Sequence, residues 1–245
     1  MTISRDDVDA AGARIHGRVR PVVLSHVEPG AVGAGRLTLA HEYLQHTGSF
    51  KARGAANLAA FHVAGGSMPA AGVTIASGGN AGVACAWAAK ATGTAATVFL
   101  PADAPPFKVS KLHGYGADVR LIPGEYADAL AASIAFADAA GALLSHAYDN
   151  PQIAAGAGTL AVEIVAQLLP ADTLVVAVGG GGLLAGITAA LAGSGVRTVG
   201  VEPRHCRALS AALQAGGPID VMVDSVAADS LGARRVSQDA FELAS

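Results

Sequence analysis

Thr173 to Val196 reads TLVVAVGGGGLLAGITAALAGSGV, without a single charged side chain. Two readings compete for such a run: a membrane span, or a buried strand followed by a tight turn and a helix. The four consecutive glycines, Gly179 to Gly182, decide between them. A spanning helix needs about 20 predominantly apolar residues in register, and each glycine in a helix interior costs roughly 0.5–1 kcal/mol of backbone entropy. The stretch therefore predicts a strand ending near Val178, a glycine loop, and a helix after it.

The same punctuation recurs outward in both directions. Val73–Ile75, Thr97–Leu100, Asp118–Leu121, Leu143–Ser145, Thr173–Val178 and Thr198–Val201 are short apolar runs bounded by Gly, Pro or polar residues, the mark of strands. Ala-rich segments of helical length lie between them, among them Ala81–Thr92, Tyr126–Ala140 and Thr159–Leu169. Strands alternating with helices predict an α/β protein with open parallel twisted sheets and helices on both faces. LPADAPPFK, Leu100 to Lys108, reads as a loop after a strand.

Composition narrows the function classes. With 52% hydrophobic and 14% charged residues, the chain is committed to burial and lacks the polar excess of disorder. A net charge of -3 offers no basic field to displace counterions from phosphates, which argues against nucleic acid and for small molecules. Cys85 and Cys206 stand far apart in no metal-ligand spacing, so a reducing, cytoplasmic setting is expected. The N-terminus, MTISRDDVDAAGARIHGRV, mixes both charges at roughly helical spacing and lacks the apolar core of a signal peptide.

Three glycine-bearing loops could carry chemistry. The first is HTGSFKARGAAN, His46 to Asn57, where Lys51 stands between a turn and an Ala-rich helical run. A lone lysine in that place is ordinarily a solvated one. The second follows a strand: Ser77, Gly78, Gly79 and Asn80 lead into a helix beginning near Ala81. Unsatisfied amides at a helix start can hold a carboxylate or phosphate, and the plainer alternative is a turn capped by Asn80. The third is Gly179 to Gly182, where backbone without Cβ atoms can approach an anion and the helix dipole favours negative charge. Its spacing is not GxGxxG, since Leu183 and Leu184 come next, and no Walker A pattern appears. A lysine, a monophosphate loop and a carboxylate loop in one chain suggest pyridoxal phosphate chemistry.

In that order, TGSFKARGA, SGGNAG and VGGGGL resemble the fold-type II pyridoxal phosphate enzymes, particularly threonine and serine dehydratases with their relative serine racemase. HAYDNPQIAAGAGTLAVEI, His146 to Ile164, is similar to the dehydratases' segment between the small domain and the returning large domain. The resemblance implies a tryptophan synthase beta-subunit-like architecture, with a small domain over 73–146 inserted into a large one formed by 1–72 and 147–245. It implies that pyridoxal 5'-phosphate is held covalently by Lys51, with Phe50 against its ring and Asn80 bonded to the ring's 3-hydroxyl oxygen. Gly179, Gly180, Gly181 and Gly182 would cradle the phosphate, and Ser77, Gly78, Gly79 and Asn80 would receive the substrate carboxylate. The implied partners are an amino-acid substrate and a second copy of the chain, with no nucleic acid and no membrane.

The function so implied is conversion of L-threonine or L-serine to a 2-oxo acid and ammonia. Threonine synthase or β-replacement activity is an alternative, although those relatives commonly place an acidic residue after the lysine, where this chain has Ala52. A truncated, non-catalytic binder is another, because family chains usually continue beyond the position matching Ser245 and there supply the partner of the pyridine nitrogen. Serine racemase places a serine two positions before the loop asparagine, and here that position is Gly78. Elimination is therefore expected over racemisation. Glu202 in GVEPRHCRA matches a metal-binding glutamate of some relatives, but Ala208 stands where the later acidic residue would be. With His205 and Cys206 too few to make a zinc site, no metal is expected. Cys85 and Trp87 read as core, His41, His46 and His62 as scattered, and Arg234 and Arg235 as surface charge.

Overall fold

The computed structural model describes residues 2–33, 35–168 and 172–245. Helix α1 (Arg5–Ile15) is followed by a short antiparallel pair, β1 (Leu24–His26) and β2 (Thr38–Ala40), then two 3-10 turns and α2 (Lys51–Ala64). A run of alternating elements follows: β3 (Val73–Ala76), α3 (Asn80–Thr92), β4 (Ala96–Pro101), α4 (Pro106–Gly114), β5 (Asp118–Ile122), α5 (Tyr126–Ala140) and β6 (Leu143–Leu144). The chain continues through α6 (Pro151–Gln167), β7 (Thr173–Ala177), α7 (Gly182–Ala190), β8 (Arg197–Val201), α8 (Ala208–Ala215), α9 (Ala228–Leu231) and α10 (Gln238–Ala244).

All six expected strands are present, and the α/β class stands. Strands β5, β4, β3 and β6 form one parallel sheet in that order, with Val73 opposite Ala96 and Leu143, and Val98 opposite Val119. Strands β7 and β8 form a separate parallel pair with Thr173 opposite Arg197. The near-continuous burial expected of parallel strands holds for β3 and β4. It does not hold for β7, where Val176 is buried and Val175 is 64% exposed. Side chains alternate across a strand, and here α7 covers the Val176 face. Among the described residues no helix is long and apolar enough to cross a membrane.

Two helices, α4 and α6, depart from the sequence expectation. LPADAPPFK is not all loop: Pro106 opens α4, so Phe107 and Lys108 lie in its first turn. Proline suits that position because its missing N–H would have no intrahelical partner there. Helix α6 begins at Pro151, well before Thr159, because the Asn150 side chain caps it by accepting from the Gln152 and Ile153 amides. Its expected last residue, Leu169, lies outside the described residues.

Helix α6 positions the functional segments. A Cβ on Gly156 would stand 2.7 Å from the Arg53 carbonyl of α2, and one on Gly158 would stand 2.4 Å from the Gly186 carbonyl of α7. Both neighbouring helices therefore dock on α6 backbone to backbone. One apolar core gathers residues of α1, α6, α7, α8 and α10 around Val176 and Leu184, and a second lies under the four-stranded sheet around Val98 and Leu112. Small residues, Ala55 and Ala59 of α2 against Ala84 and Ala88 of α3, join them.

Candidate active site

Lys51 is the first residue of α2 and follows a strained turn. Thr47, a β-branched residue, has a positive φ of 69°, where non-glycine residues are rare and bulky ones are outliers. The Thr47 and Ser49 hydroxyls are buried without a hydrogen-bond partner among the described residues. Lys51 Nζ donates to the Ala147 carbonyl at 2.7 Å and lies 4.9 Å from the Phe50 ring centroid. Burial lowers its pKa from the usual lysine value to about 8, since an apolar surround disfavours the charged form.

The backbone below Lys51 is held by Arg53, which sequence reasoning left without a role. Its fully buried guanidinium donates from Nε to Glu42 Oε2 at 2.8 Å and from Nη1 to Glu163 Oε1 at 2.6 Å. The first turn of α2 is thereby tied to the 42–44 turn and to α6. Two residues of separation from Lys51 put the arginine on another face of the helix, but nothing in the local sequence announces its distant acidic partners.

In the second loop, α3 begins at Asn80 itself, with Gly79 as its N-cap. The plainer reading of Asn80 as a cap is thus not the observed one. Asn80 is exposed, and its side chain makes no hydrogen bond among the described residues. The loop is braced from within: the Gly79 amide donates to Ser77 Oγ at 3.3 Å. A Cβ on Gly82 would stand 1.8 Å from the Ser77 carbonyl, so this glycine, which the sequence reading passed over, lets the helix begin directly behind the loop.

The third loop ends at Gly182, the first residue of α7. Among the described residues no backbone amide from Gly180 to Leu184 donates to a protein acceptor, leaving a cluster of unsatisfied donors at the positive end of a helix. The sequence reading explained the glycines by access for an anion, and packing adds a second reason. A Cβ on Gly180 would fall 2.3 Å from ring atoms of Tyr148, and one on Gly181 would fall 2.3 Å from the Ala240 Cβ.

Tyr148 and its neighbours, also missed from sequence, connect these parts. The Tyr148 hydroxyl donates to the Arg235 carbonyl at 3.0 Å. His146 Nδ1 accepts from the Asp149 amide at 2.8 Å, and its ring meets Tyr148 edge-on at 4.7 Å between centroids. Desolvation lowers the His146 pKa; Asp149 opposes this and Lys51 adds to it. Lys51 and the glycine loop therefore share a wall, the former through Ala147 and the latter through Tyr148.

The remaining candidates have structural partners. Glu202 caps α8, its carboxylate accepting from the Leu209 and Ser210 amides at 2.8 and 2.9 Å. Trp87 stacks on His46 with 4.8 Å between ring centroids, and Cys85 is buried in the core of the four-stranded sheet.

Comparison with known proteins places the chain among relatives of one family. The chain is 34% identical over 243 residues to an L-threonine ammonia-lyase of Geobacter sulfurreducens, an alignment spanning 96% of this chain and 59% of that protein. It is 38% identical to an L-threonine dehydratase biosynthetic IlvA of Mycobacterium leprae, over 94% of this chain and 56% of the relative. The chain thus spans less than two thirds of the length of these relatives. Among solved structures, a maize serine racemase superposes with a TM-score of 0.90 at 28% identity, over 99% of this chain and 74% of the other. A serine racemase from Dictyostelium discoideum gives 0.89 at 28% identity, over 99% and 78%. Residues 15–245 match the family model described as pyridoxal-phosphate dependent enzyme, and the chain belongs to that family.

Proposed function

We propose that this chain carries the active site of a pyridoxal-phosphate-dependent dehydratase that converts L-threonine or L-serine to a 2-oxo acid and ammonia. The observation that carries this reading is the shared wall: a desolvated lysine amine on Ala147 and a glycine loop of unsatisfied amides on Tyr148. The residues present fit the cofactor. The amides at the start of α7 suit a phosphate, Phe50 offers an apolar face beside Lys51, and Asn80 has a free amide for a ring oxygen. The orphaned Thr47 and Ser49 hydroxyls add polar groups with no protein partner among the described residues. Within this reading Ser77, Gly78, Gly79 and Asn80 take the substrate carboxylate, and the residues divide into a small domain over 73–146 and a large one over 1–72 and 147–245. The separate cores of the two sheets support that division.

When bound, pyridoxal phosphate supplies an electron sink that makes the Cα proton of an amino acid acidic and allows its β-hydroxyl to leave. Lys51 would hold the cofactor, and once the substrate amine has taken its place there, the freed Nζ, neutral above a pKa of about 8, would accept the Cα proton. Ala147 orients that amine through its carbonyl. Ser77 to Asn80 would hold the substrate carboxylate at the start of α3. Position 78 has no side chain to deliver a proton from the opposite face, which favours elimination over racemisation. Two free, buried cysteines support a cytoplasmic setting, and the family resemblance supports a homodimer.

The test is chemical. The loaded protein absorbs in the visible region, borohydride fixes the cofactor to the peptide containing Lys51, and L-threonine yields 2-oxobutyrate. In cofactor-free protein, an amine-directed reagent labels Lys51 at a rate rising through pH 8. The lowered value means that the amine is protonated below this point and already neutral between pH 8 and the ordinary lysine range. Label on Lys90, Lys108 or Lys111 in place of Lys51, or a midpoint near 10.5, refutes the assignment.

A further inference from the structure

A short strap, Ser225 to Gly232, lies across both glycine loops. At one end a Cβ on Gly179 would stand 3.1 Å from Leu231 Cα, and Cys206 Sγ donates to the Leu231 carbonyl at 2.8 Å. At the other end the nearest atom to a Gly79 Cβ is the Asp229 carbonyl oxygen, at 3.9 Å. There Asp229 Oδ1 accepts from Lys108 Nζ at 2.7 Å. The Lys108 stem runs beside the carboxylate loop, its Cδ 3.7 Å from where a Gly78 Cβ would be.

A lysine beside the start of α3 is electrostatically unfavourable by itself, because the helix N-terminus is already positive. An anion between the two relieves this, and here the carboxylate of Asp229 supplies it. The Asp229 side chain is 70% exposed, and exposed pairs of this kind are weak and readily exchanged. The arrangement thus presents amides, a cation and a replaceable carboxylate at the place where the proposed function puts the carboxylate of an amino acid.

We infer that Lys108 is a second, charged anchor for the substrate carboxylate, and that Asp229 occupies this anchor until substrate arrives. The inference rests on the reading of Ser77 to Asn80 as the carboxylate loop. The exchange is non-covalent. The incoming carboxylate takes the Nζ hydrogen bond, Asp229 turns to solvent, and α9 loosens from Gly79 while Leu231 stays pinned by Cys206 and Gly179. Release of product lets Asp229 return. Lys108 then acts on substrate binding, with Asp229 as a positioning residue that acts through it.

The experiment uses the loaded full chain and titrates L-alanine, which has the carboxylate but no β-hydroxyl to lose, following the visible absorbance of the cofactor. Lys108→Met should weaken L-alanine binding about tenfold, the worth of one charge-assisted hydrogen bond, and should raise KM for L-threonine more than it lowers kcat. Lys108→Arg should recover most of this loss, which also covers the case in which the methionine variant folds poorly. Asp229→Asn should tighten L-alanine binding about twofold, because the competing charge is gone. Unchanged binding in Lys108→Met, or weakening in Asp229→Asn to match Lys108→Met, overturns the inference and leaves a merely structural strap. If the wild-type chain holds the cofactor on Lys51 yet binds no L-alanine, the carboxylate-loop reading falls and this inference with it. If wild type binds and only the variants fail to respond, the anchor alone is wrong.

Discussion

Two loops of this chain share one plan, a parallel strand, a run with glycines and a helix, yet they are built differently. Gly179 to Gly182 is enclosed: Tyr148 covers Gly180, Ala240 and Val236 cover Gly181, and the Ser237 amide donates to the Gly180 carbonyl at 3.0 Å. Ser77 to Asn80 is closed on one side and open on the other: a Cβ on Gly78 would stand 2.7 Å from Leu100 Cδ2, whereas Asn80 is exposed and a Cβ on Gly79 would meet only the Asp229 carbonyl, at 3.9 Å. Glycine repetition alone therefore does not say how a loop works. The enclosed loop is a fixed set of donors, suited to a group that stays bound. The open side would, on the proposed function, let a ligand come and go.

The largest effect that would break this comparison is at Gly180. Gly180→Val drives a branched side chain into the Tyr148 ring, and overpacking of this order costs about 3 kcal/mol. Thermal unfolding should show the loss, and cofactor affinity should fall with it. Tyr148→Ala in the same chain should recover part of the stability, a coupling that a double-mutant cycle measures. Additive effects would show that the ring is not what encloses the loop.

Gly82→Ala is expected to rank next. Its Cβ would lie 1.8 Å from the Ser77 carbonyl, so the Ser77–Asn80 loop must shift, at about 2 kcal/mol. L-threonine KM should rise while the cofactor remains bound. Equal loss of cofactor and substrate would blur the distinction between the loops.

A smaller effect is expected from Tyr148→Phe, which keeps the ring over Gly180 and removes only the hydrogen bond to Arg235. It should lower stability by about 1 kcal/mol, read in denaturant unfolding, with cofactor affinity largely kept. The smallest belongs to Gly79→Ala. Its φ of -96° is open to alanine and no atom stands in the way, so the stability change should be about 0.5 kcal/mol. A loss comparable with that of Gly180→Val would show that the open side is in fact closed.

Lys51 and the two loops were legible in the sequence because each is a local signal: a residue type at a fixed place relative to a strand end and a helix start. The strands were legible for the same reason, as runs of Val, Ile and Leu between turn residues. Helix α4 was not, since the prolines that signal a loop in LPADAPPFK also suit a helix start. Arg53 was not either, because a buried arginine depends on Glu42 and Glu163, one turn and one distant helix away. Helix α3 starts at Asn80, one residue before the Ala81 at which the glycine run suggests a start, and that shift frees the Asn80 side chain from capping.

The α/β alternation, the order of the lysine and the two loops, and the family to which the chain belongs are all written in the linear pattern of residues. These follow from local periodicity and from residue types whose chemistry is intrinsic. Tertiary packing is what makes Ala147 and Tyr148 the wall between Lys51 and the glycine loop, encloses that loop more fully than Ser77–Asn80, and brings Lys108 to Asp229. Those are contacts between residues far apart in the chain, fixed where α2 and α7 dock on the glycines of α6, and a linear pattern does not encode which distant surfaces a close approach will bring together.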